Sequence, residues 1–120
     1  MNKMVIAAAA ALLSATSASA MDVATFLAKG MALQARGPAA VLMPEFPEVQ
    51  GEIQAAAIAT RRARVQALRD GRAPPYCPQQ GASLTSEEIQ AAMLAVPVAQ
   101  RARVQVRDAI GAAFARKYPC

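Results

Sequence analysis

Downstream of Met21, apolar residues recur at the three- and four-residue spacing of an α-helix, and alternating strand patterns are almost missing. The first such segment has Asp22 as a candidate N-cap and ends at Gly37-Pro38, a glycine followed by a residue that cannot continue a helix. Its apolar stripe consists of Val23, Phe26, Leu27 and Leu33. The pattern therefore predicts a first helix between Asp22 and Gly37.

A long second helix is predicted from Pro47, since proline is favoured at the first helical position, to about Asp70 before Gly71. One of its sides carries Val49, Ile53, Ala56, Ala57, Thr60 and Ala67. Another side carries Ile58, Val65 and Leu68, mixed with arginines. A helix that is apolar on two sides is expected to be central in the fold and to touch more than one neighbour.

The clearest local signal follows a loop, Arg72 to Gly81, that is stiffened by prolines. Thr85 and Glu88 form a capping-box pattern that begins a third helix, which runs to about Ala95. The remaining predicted helical segments are a short one from Pro97 to Arg103 and a last one from about Val106 to Lys117. The sequence thus predicts an all-α fold, a small bundle of about four helices forming one domain, residues 21–120.

The first 20 residues have the pattern of a secretory signal peptide. Lys3 precedes an uninterrupted apolar run, Met4 to Leu13, and Ala18-Ser19-Ala20 fits the small-residue cleavage pattern. The run is shorter than the roughly 20 residues that a membrane-spanning helix needs. We expect cleavage near Ala20, a mature chain that begins at Met21 and has no transmembrane segment, and a periplasmic or secreted location.

Two cysteines, Cys77 and Cys120, remain in the predicted mature chain. In an oxidising compartment such a pair is usually a disulfide, which would close a long loop and stabilise a domain of about 100 residues by about 4 kcal/mol in the loop-entropy model. An intermolecular disulfide and a reactive thiol are the rival interpretations. A metal site is not expected, because two thiolates without histidine cannot complete a tetrahedral shell.

The composition argues against catalysis. The chain contains no histidine, which removes the commonest general base and the Ser-His and Cys-His nucleophile pairs. It also contains no glycine-rich phosphate loop and no dinucleotide-binding fingerprint. We therefore expect a protein that is not an enzyme and that uses no cofactor.

Arginine is the conspicuous charged residue in a chain of net charge +5 and isoelectric point near 9.9. The candidate binding face consists of Arg61, Arg62, Arg64, Arg69, Arg72 and Tyr76. An acidic protein, lipid headgroups or an anionic cell-wall polymer would fit it. The alternative is that basic residues late in the helix only complement its dipole.

Tyr76 packs over the disulfide or faces a partner, and the sequence leaves both open. Nucleic acid is not expected, given the compartment and the scarcity of aromatic residues.

The second half of the chain resembles the Rap/Tai type of immunity protein, which protects bacteria from peptidoglycan amidases delivered by type VI secretion. The resemblance is carried by Tyr76-Cys77-Pro78, Gly81, the capped helix from Thr85, and the closing helix with Tyr118-Pro119-Cys120. It implies a disulfide between Cys77 and Cys120 in an exported helical fold that plugs an amidase active site in the periplasm. Where family members carry a further cysteine pair and aromatic residues, this chain has Ala55 to Ala59 followed by arginines.

Three functional hypotheses follow. The first is an immunity-like or inhibitor-like periplasmic protein that binds another protein, such as a secreted cell-wall amidase, through a rigid helical surface. The second is a periplasmic holdase that protects unfolded clients under acid stress. The third is an envelope-associated structural protein whose basic face touches anionic polymer.

Overall fold

The computed structural model describes residues 20–120, so the predicted signal peptide, residues 1–20, lies outside the described residues except for Ala20. This described part of the chain forms four α-helices, as predicted, with two short 3₁₀ turns at Gly37–Leu42 and Val98–Gln100. The helices are α1 (Val23–Arg36), α2 (Glu45–Arg69), α3 (Ser86–Leu94) and α4 (Val106–Lys117). Between residues 20 and 120 the only β-type pairing is an isolated bridge of Asp22 with Gln105. The predicted all-α class is confirmed.

Helix α1 has the boundaries that the sequence predicts. The Asp22 carboxylate accepts hydrogen bonds from the Thr25 backbone N–H at 2.8 Å and from its hydroxyl at 2.9 Å, and so caps the first turn. Gly37 ends the helix with φ of 55°, a left-handed conformation that a residue with a Cβ rarely adopts. Local capping chemistry therefore fixes both ends of α1.

Helix α2 begins two residues before the predicted start. Glu45 is its first residue, with Pro44 at the N-cap position, and Pro47 lies within the first turn. The first backbone N–H groups of a helix have no partner inside it, so proline is tolerated there without loss of a hydrogen bond. At the other end, Gly71 adopts φ of 69° and the Arg72 N–H donates to the Ala67 carbonyl at 2.8 Å, which closes the helix.

Helix α3 begins with the predicted capping box. The Thr85 hydroxyl accepts from the Glu88 N–H at 3.1 Å, while the Glu88 carboxylate accepts from the Thr85 N–H at 3.0 Å. The C-terminal end of α3 is capped by a residue from the next turn, Arg101, whose Nε and Nη2 donate to the carbonyls of Val96 and Leu94 at 2.9 and 3.2 Å. Both ends of this nine-residue helix are thus satisfied by side chains.

The core lies between α4 and the three other helices. Helix α2 faces α4 with small side chains, among them the buried Ala56 and Thr60, and this lets the two backbones approach closely. A Cβ added at Gly111 of α4 would lie 3.9 Å from the Thr60 hydroxyl oxygen. The other buried residues of the core cluster are Val23, Phe26, Tyr76, Ala92, Met93, Val106, Ala109, Ile110, Ala113 and Phe114.

Cys77 and Cys120 form the predicted disulfide, with their sulfurs 2.11 Å apart. Non-covalent contacts hold the same end of the chain. The Cys77 N–H donates to the Tyr118 carbonyl at 2.8 Å, and the Tyr118 hydroxyl lies 3.1 Å from both the N–H and the carbonyl of Ser83. Lys117 donates to the Ser83 carbonyl and pairs with Glu88. The C-terminal residues are therefore fixed on the loop that precedes α3.

The start of α1 is joined to the start of α4. The N–H groups of Val23 and Ala24 donate to the carbonyls of Val104 and Arg101, and the Val106 N–H donates to the Met21 carbonyl at 2.9 Å. These bonds satisfy backbone groups that a helix N-terminus leaves free. None of the helices in the described part of the chain is both long enough and apolar enough to span a bilayer.

Candidate protein-binding surface

The second half of α2 presents one side to α4 and the opposite side to solvent. Residues three and four apart in a helix lie on the same side. One side of α2 buries Ala56, Thr60 and Ala67, so the residues on the opposite side are exposed. We call these positions the outer face of α2, and they are Ile58, Arg61, Arg62, Val65, Leu68 and Arg69. Part of this face forms a shallow groove of about 620 Å³ between the arginine side chains.

The arginines of the outer face have no acidic partner among the residues that the structure describes. Three ion pairs occur among residues 20–120, and they involve Lys29, Arg72 and Lys117 as the cations. The glutamates of α2 lie at its start. The last of them, Glu52, precedes Arg61 by nine residues, which is about 14 Å along the helix axis. That exceeds the Debye length of about 8 Å at physiological salt, so the glutamates of α2 do not neutralise the outer face. Asp70, the residue after Arg69, pairs with Arg72 instead.

The apolar side chains of the outer face are exposed. Ile58 is 47% exposed, Val65 38% and Leu68 50%. The sequence predicted a central α2 that touches more than one neighbour, and α2 does contact both α4 and α1. The side of α2 that carries these three apolar residues is nevertheless exposed. The outer face therefore combines unpaired cations with apolar side chains, the composition of a surface that can be desolvated by a partner.

Arg64 and Tyr76 do not belong to the outer face. Tyr76 is only 4% exposed, and its ring packs against Phe114 with 5.3 Å between the ring centroids. The Arg64 guanidinium lies 5.7 Å from the centre of the Tyr76 ring, and its Nε donates to the Tyr76 carbonyl at 3.2 Å. Tyr76 is therefore buried against Phe114 and Arg64 and does not face a partner. Arg64 and Tyr76 fix the proline-rich loop on α2.

Arg72 is exposed but lies past the end of α2. Its Nη2 pairs with the Asp70 carboxylate at 3.0 Å, and Asp70 also accepts a hydrogen bond from Gln66. The structure thus divides the six residues of the candidate face into three groups. Arg61, Arg62 and Arg69 lie together on the outer face, Arg64 and Tyr76 are packed, and Arg72 is paired.

Sequence reasoning missed two features of the arginine set. It left Ile58, Val65 and Leu68 out of the candidate binding face, although their interleaving with arginines was a signal of exposure. It also gave no structural role to Arg101, which caps α3. Pro97 was the sequence feature that could have indicated the capping role of Arg101. A helix that stops before a proline leaves free carbonyls at its end, and these need a hydrogen-bond donor.

The titratable groups with shifted pKa values lie away from the outer face. The Lys117 side chain and the Thr85 backbone N–H lower the pKa of Glu88, and the Glu88 carboxylate raises the pKa of Lys117. The Ser83 N–H lowers the pKa of Tyr118. These shifts arise from contacts that hold the C-terminal residues and α3. Among the described residues, no three side chains of Cys, Asp or Glu are grouped so that they could hold a metal ion.

Comparison of the chain with protein-family models, curated proteins and solved structures gives no match.

Proposed function

We propose that the protein is an exported, non-enzymatic, immunity-like or inhibitor-like protein that binds an acidic surface of a partner protein through the outer face of α2. The observation that carries this proposal is the combination on one helix side of three unpaired arginines with three exposed apolar side chains. Arginines at an interface pair with carboxylates through two parallel hydrogen bonds, while apolar neighbours exclude water. Such a surface recognises a carboxylate-bearing partner that also offers apolar contacts.

The scaffold behind the outer face favours binding without a large loss of conformational entropy. The opposite side of α2 packs on α4, and Arg64 ties the last third of α2 to the loop that carries Cys77. The disulfide then joins this loop to the C-terminal residue. A surface ordered before binding loses little freedom on docking, which favours affinity.

Export and the class of partner rest on the sequence. The leader pattern of residues 1–20 and the disulfide both fit an oxidising compartment, the periplasm or the exterior. The resemblance to the Rap/Tai type of immunity protein favours a periplasmic enzyme as the partner, with a secreted cell-wall amidase as the first candidate. The absence of histidine from the sequence supports a binding role rather than a catalytic one.

The test is capture from periplasmic extract by the oxidised exported protein and by two charge-reversed variants. One variant reverses the outer face, R61E/R62E/R69E. The matched control, R36E/R103E/R116E, changes the net charge by the same amount at three exposed arginines elsewhere. We expect a stoichiometric protein partner that the control retains and the outer-face variant loses. Capture that both variants lose equally would point to net charge alone and would contradict the proposal.

An anionic envelope polymer is the second candidate, because the same unpaired arginines would attract it. The exposed apolar side chains of the outer face distinguish a protein partner, which would contact them, from a polymer, which would not. The variant I58S/V65S keeps every charge of the outer face, so binding to polymer should be unchanged, whereas binding to a protein partner should weaken by about tenfold or more because apolar contacts are lost. A holdase would instead suppress aggregation of an unfolded client at low pH, and its activity should be indifferent to R61E/R62E/R69E.

A further inference from the structure

Met21 is held at three points, two on its backbone and one on its side chain. Its nitrogen lies 3.2 Å from the Glu52 Oε1, and its carbonyl accepts the Val106 N–H at 2.9 Å. Its side chain packs against the core. Met21 is thus an integral part of the fold, and it is also the residue at which the mature chain is expected to begin. The position of the Met21 nitrogen is therefore set by α2 and α4 together.

Glu52 is the carboxylate that faces the Met21 nitrogen, and the acidic residues next to these two already have other partners. The Asp22 carboxylate accepts from Thr25, and Glu48, one turn before Glu52 on α2, pairs with Lys29. The first turn of α4, next to the Val106 N–H, carries one charge of each sign at residues 107 and 108. Glu52 has no cation as a partner between residues 20 and 120.

We propose that Glu52 is the binding site for the α-ammonium group of Met21, which is created when the leader is removed. A signal peptidase would hydrolyse the Ala20–Met21 peptide bond, leaving a carboxylate on Ala20 and an amine on Met21 that takes up a proton at neutral pH. The neutral N–H that now faces Glu52 becomes a cation at the same place. The mature chain gains an ion pair that the precursor lacks.

The geometry also makes the cleavage position specific. A chain that began one residue earlier or later would place its ammonium group about 3.5 Å away along the backbone, out of hydrogen-bond reach of Glu52. The proposal rests on the export part of the proposed function. The ion pair forms without a partner protein. A failure to capture a partner therefore leaves the ion pair untouched, and a failure to find the ion pair leaves the binding function untouched.

The test is a two-by-two comparison on the protein secreted with its own leader. The purified protein, with Glu52 or with E52Q, is compared before and after acetylation of its α-amine at mildly acidic pH, where lysine amines stay protonated. The acetylated nitrogen keeps an N–H that can donate to Glu52. The comparison therefore measures the effect of the positive charge of the α-ammonium group alone. E87Q serves as the matched control, because Glu87 is exposed and forms no ion pair among the described residues.

We expect mass spectrometry to give Met21 as the first residue. Acetylation should then raise the equilibrium constant for unfolding about two- to fivefold with Glu52 or with E87Q, and have no effect with E52Q. An equal effect of acetylation in the E52Q and Glu52 proteins would overturn the ion pair. A first residue other than Met21 would overturn the cleavage position. Failure to capture a partner, with this pattern intact, would overturn only the binding function.

Discussion

Replacing both cysteines by serine tests how much of the stability comes from the covalent link. The disulfide joins residues separated by 43 positions in sequence. In the loop-entropy model a closed loop of this length removes about 4 kcal/mol of freedom from the unfolded chain. A domain of this size has a free energy of unfolding of about 5–15 kcal/mol, so the variant C77S/C120S should lose a large share of it.

The folded state of C77S/C120S should change little, because the contacts of the C-terminal residues do not need the sulfurs. The Tyr118 hydroxyl keeps its two hydrogen bonds to Ser83, and Lys117 keeps its ion pair with Glu88. The loss therefore arises mainly in the unfolded state, which becomes more expanded. Its exposed surface, and with it the m-value in urea, should increase.

The assay is urea unfolding at neutral pH, followed by far-ultraviolet circular dichroism, on the oxidised protein and on C77S/C120S. We expect the free energy of unfolding to fall by about 3–5 kcal/mol while the spectrum of the folded state is retained. A fall of less than about 1 kcal/mol, or a loss of helical signal without urea, would refute the reasoning. The wild type under reducing conditions should behave like the variant.

Three further predictions concern the core, the α3 cap and the response to acid. Phe114→Ala removes a ring packed between two aromatic neighbours and should lower the free energy of unfolding by about 3–5 kcal/mol, whereas Met31→Ala at an exposed position should change it by less than about 0.5 kcal/mol in urea titrations. Arg101→Ala removes the donors at the end of α3 and should cost about 1–2 kcal/mol, with Arg103→Ala, which makes no such bonds, close to neutral in the same titrations. Bonds from the first turn of α1 hold the pKa of Asp22 below its usual value of 3.8, so its contribution to stability is present above that value and is lost as the pH falls through the lower folded pKa. Asp22→Asn keeps a capping oxygen, and its unfolding midpoint should therefore fall less on acidification than that of the wild type.

The helices were predictable because short-range chemistry sets their ends. The Asp22 cap, the capping box at Thr85 and the glycines at the ends of α1 and α2 are each recognisable within four residues of sequence. The start of α2 was not predictable in this way. Proline is tolerated at any position of the first turn, so Pro47 alone could not show that the helix begins at Glu45.

The binding surface was only partly predictable, because which side of α2 faces solvent depends on packing. Arg61 and Arg64 are three residues apart and look equivalent in sequence. Only the way in which α4 packs on Ala56 and Thr60 places Arg61 in solvent and Arg64 against Tyr76. Helical periodicity gives the angle between two side chains, while the direction of the core is a property of the whole fold.

Site-specific photo-crosslinking in the periplasm tests the location of the binding surface most directly. A benzophenone amino acid replaces Val65 in the middle of the outer face of α2 in one protein and the exposed Gln90 of α3 in another. We predict one adduct of defined mass from position 65, lost in R61E/R62E/R69E, and no adduct from position 90. No adduct from position 65, or the same adduct from both positions, would contradict a partner that docks on α2.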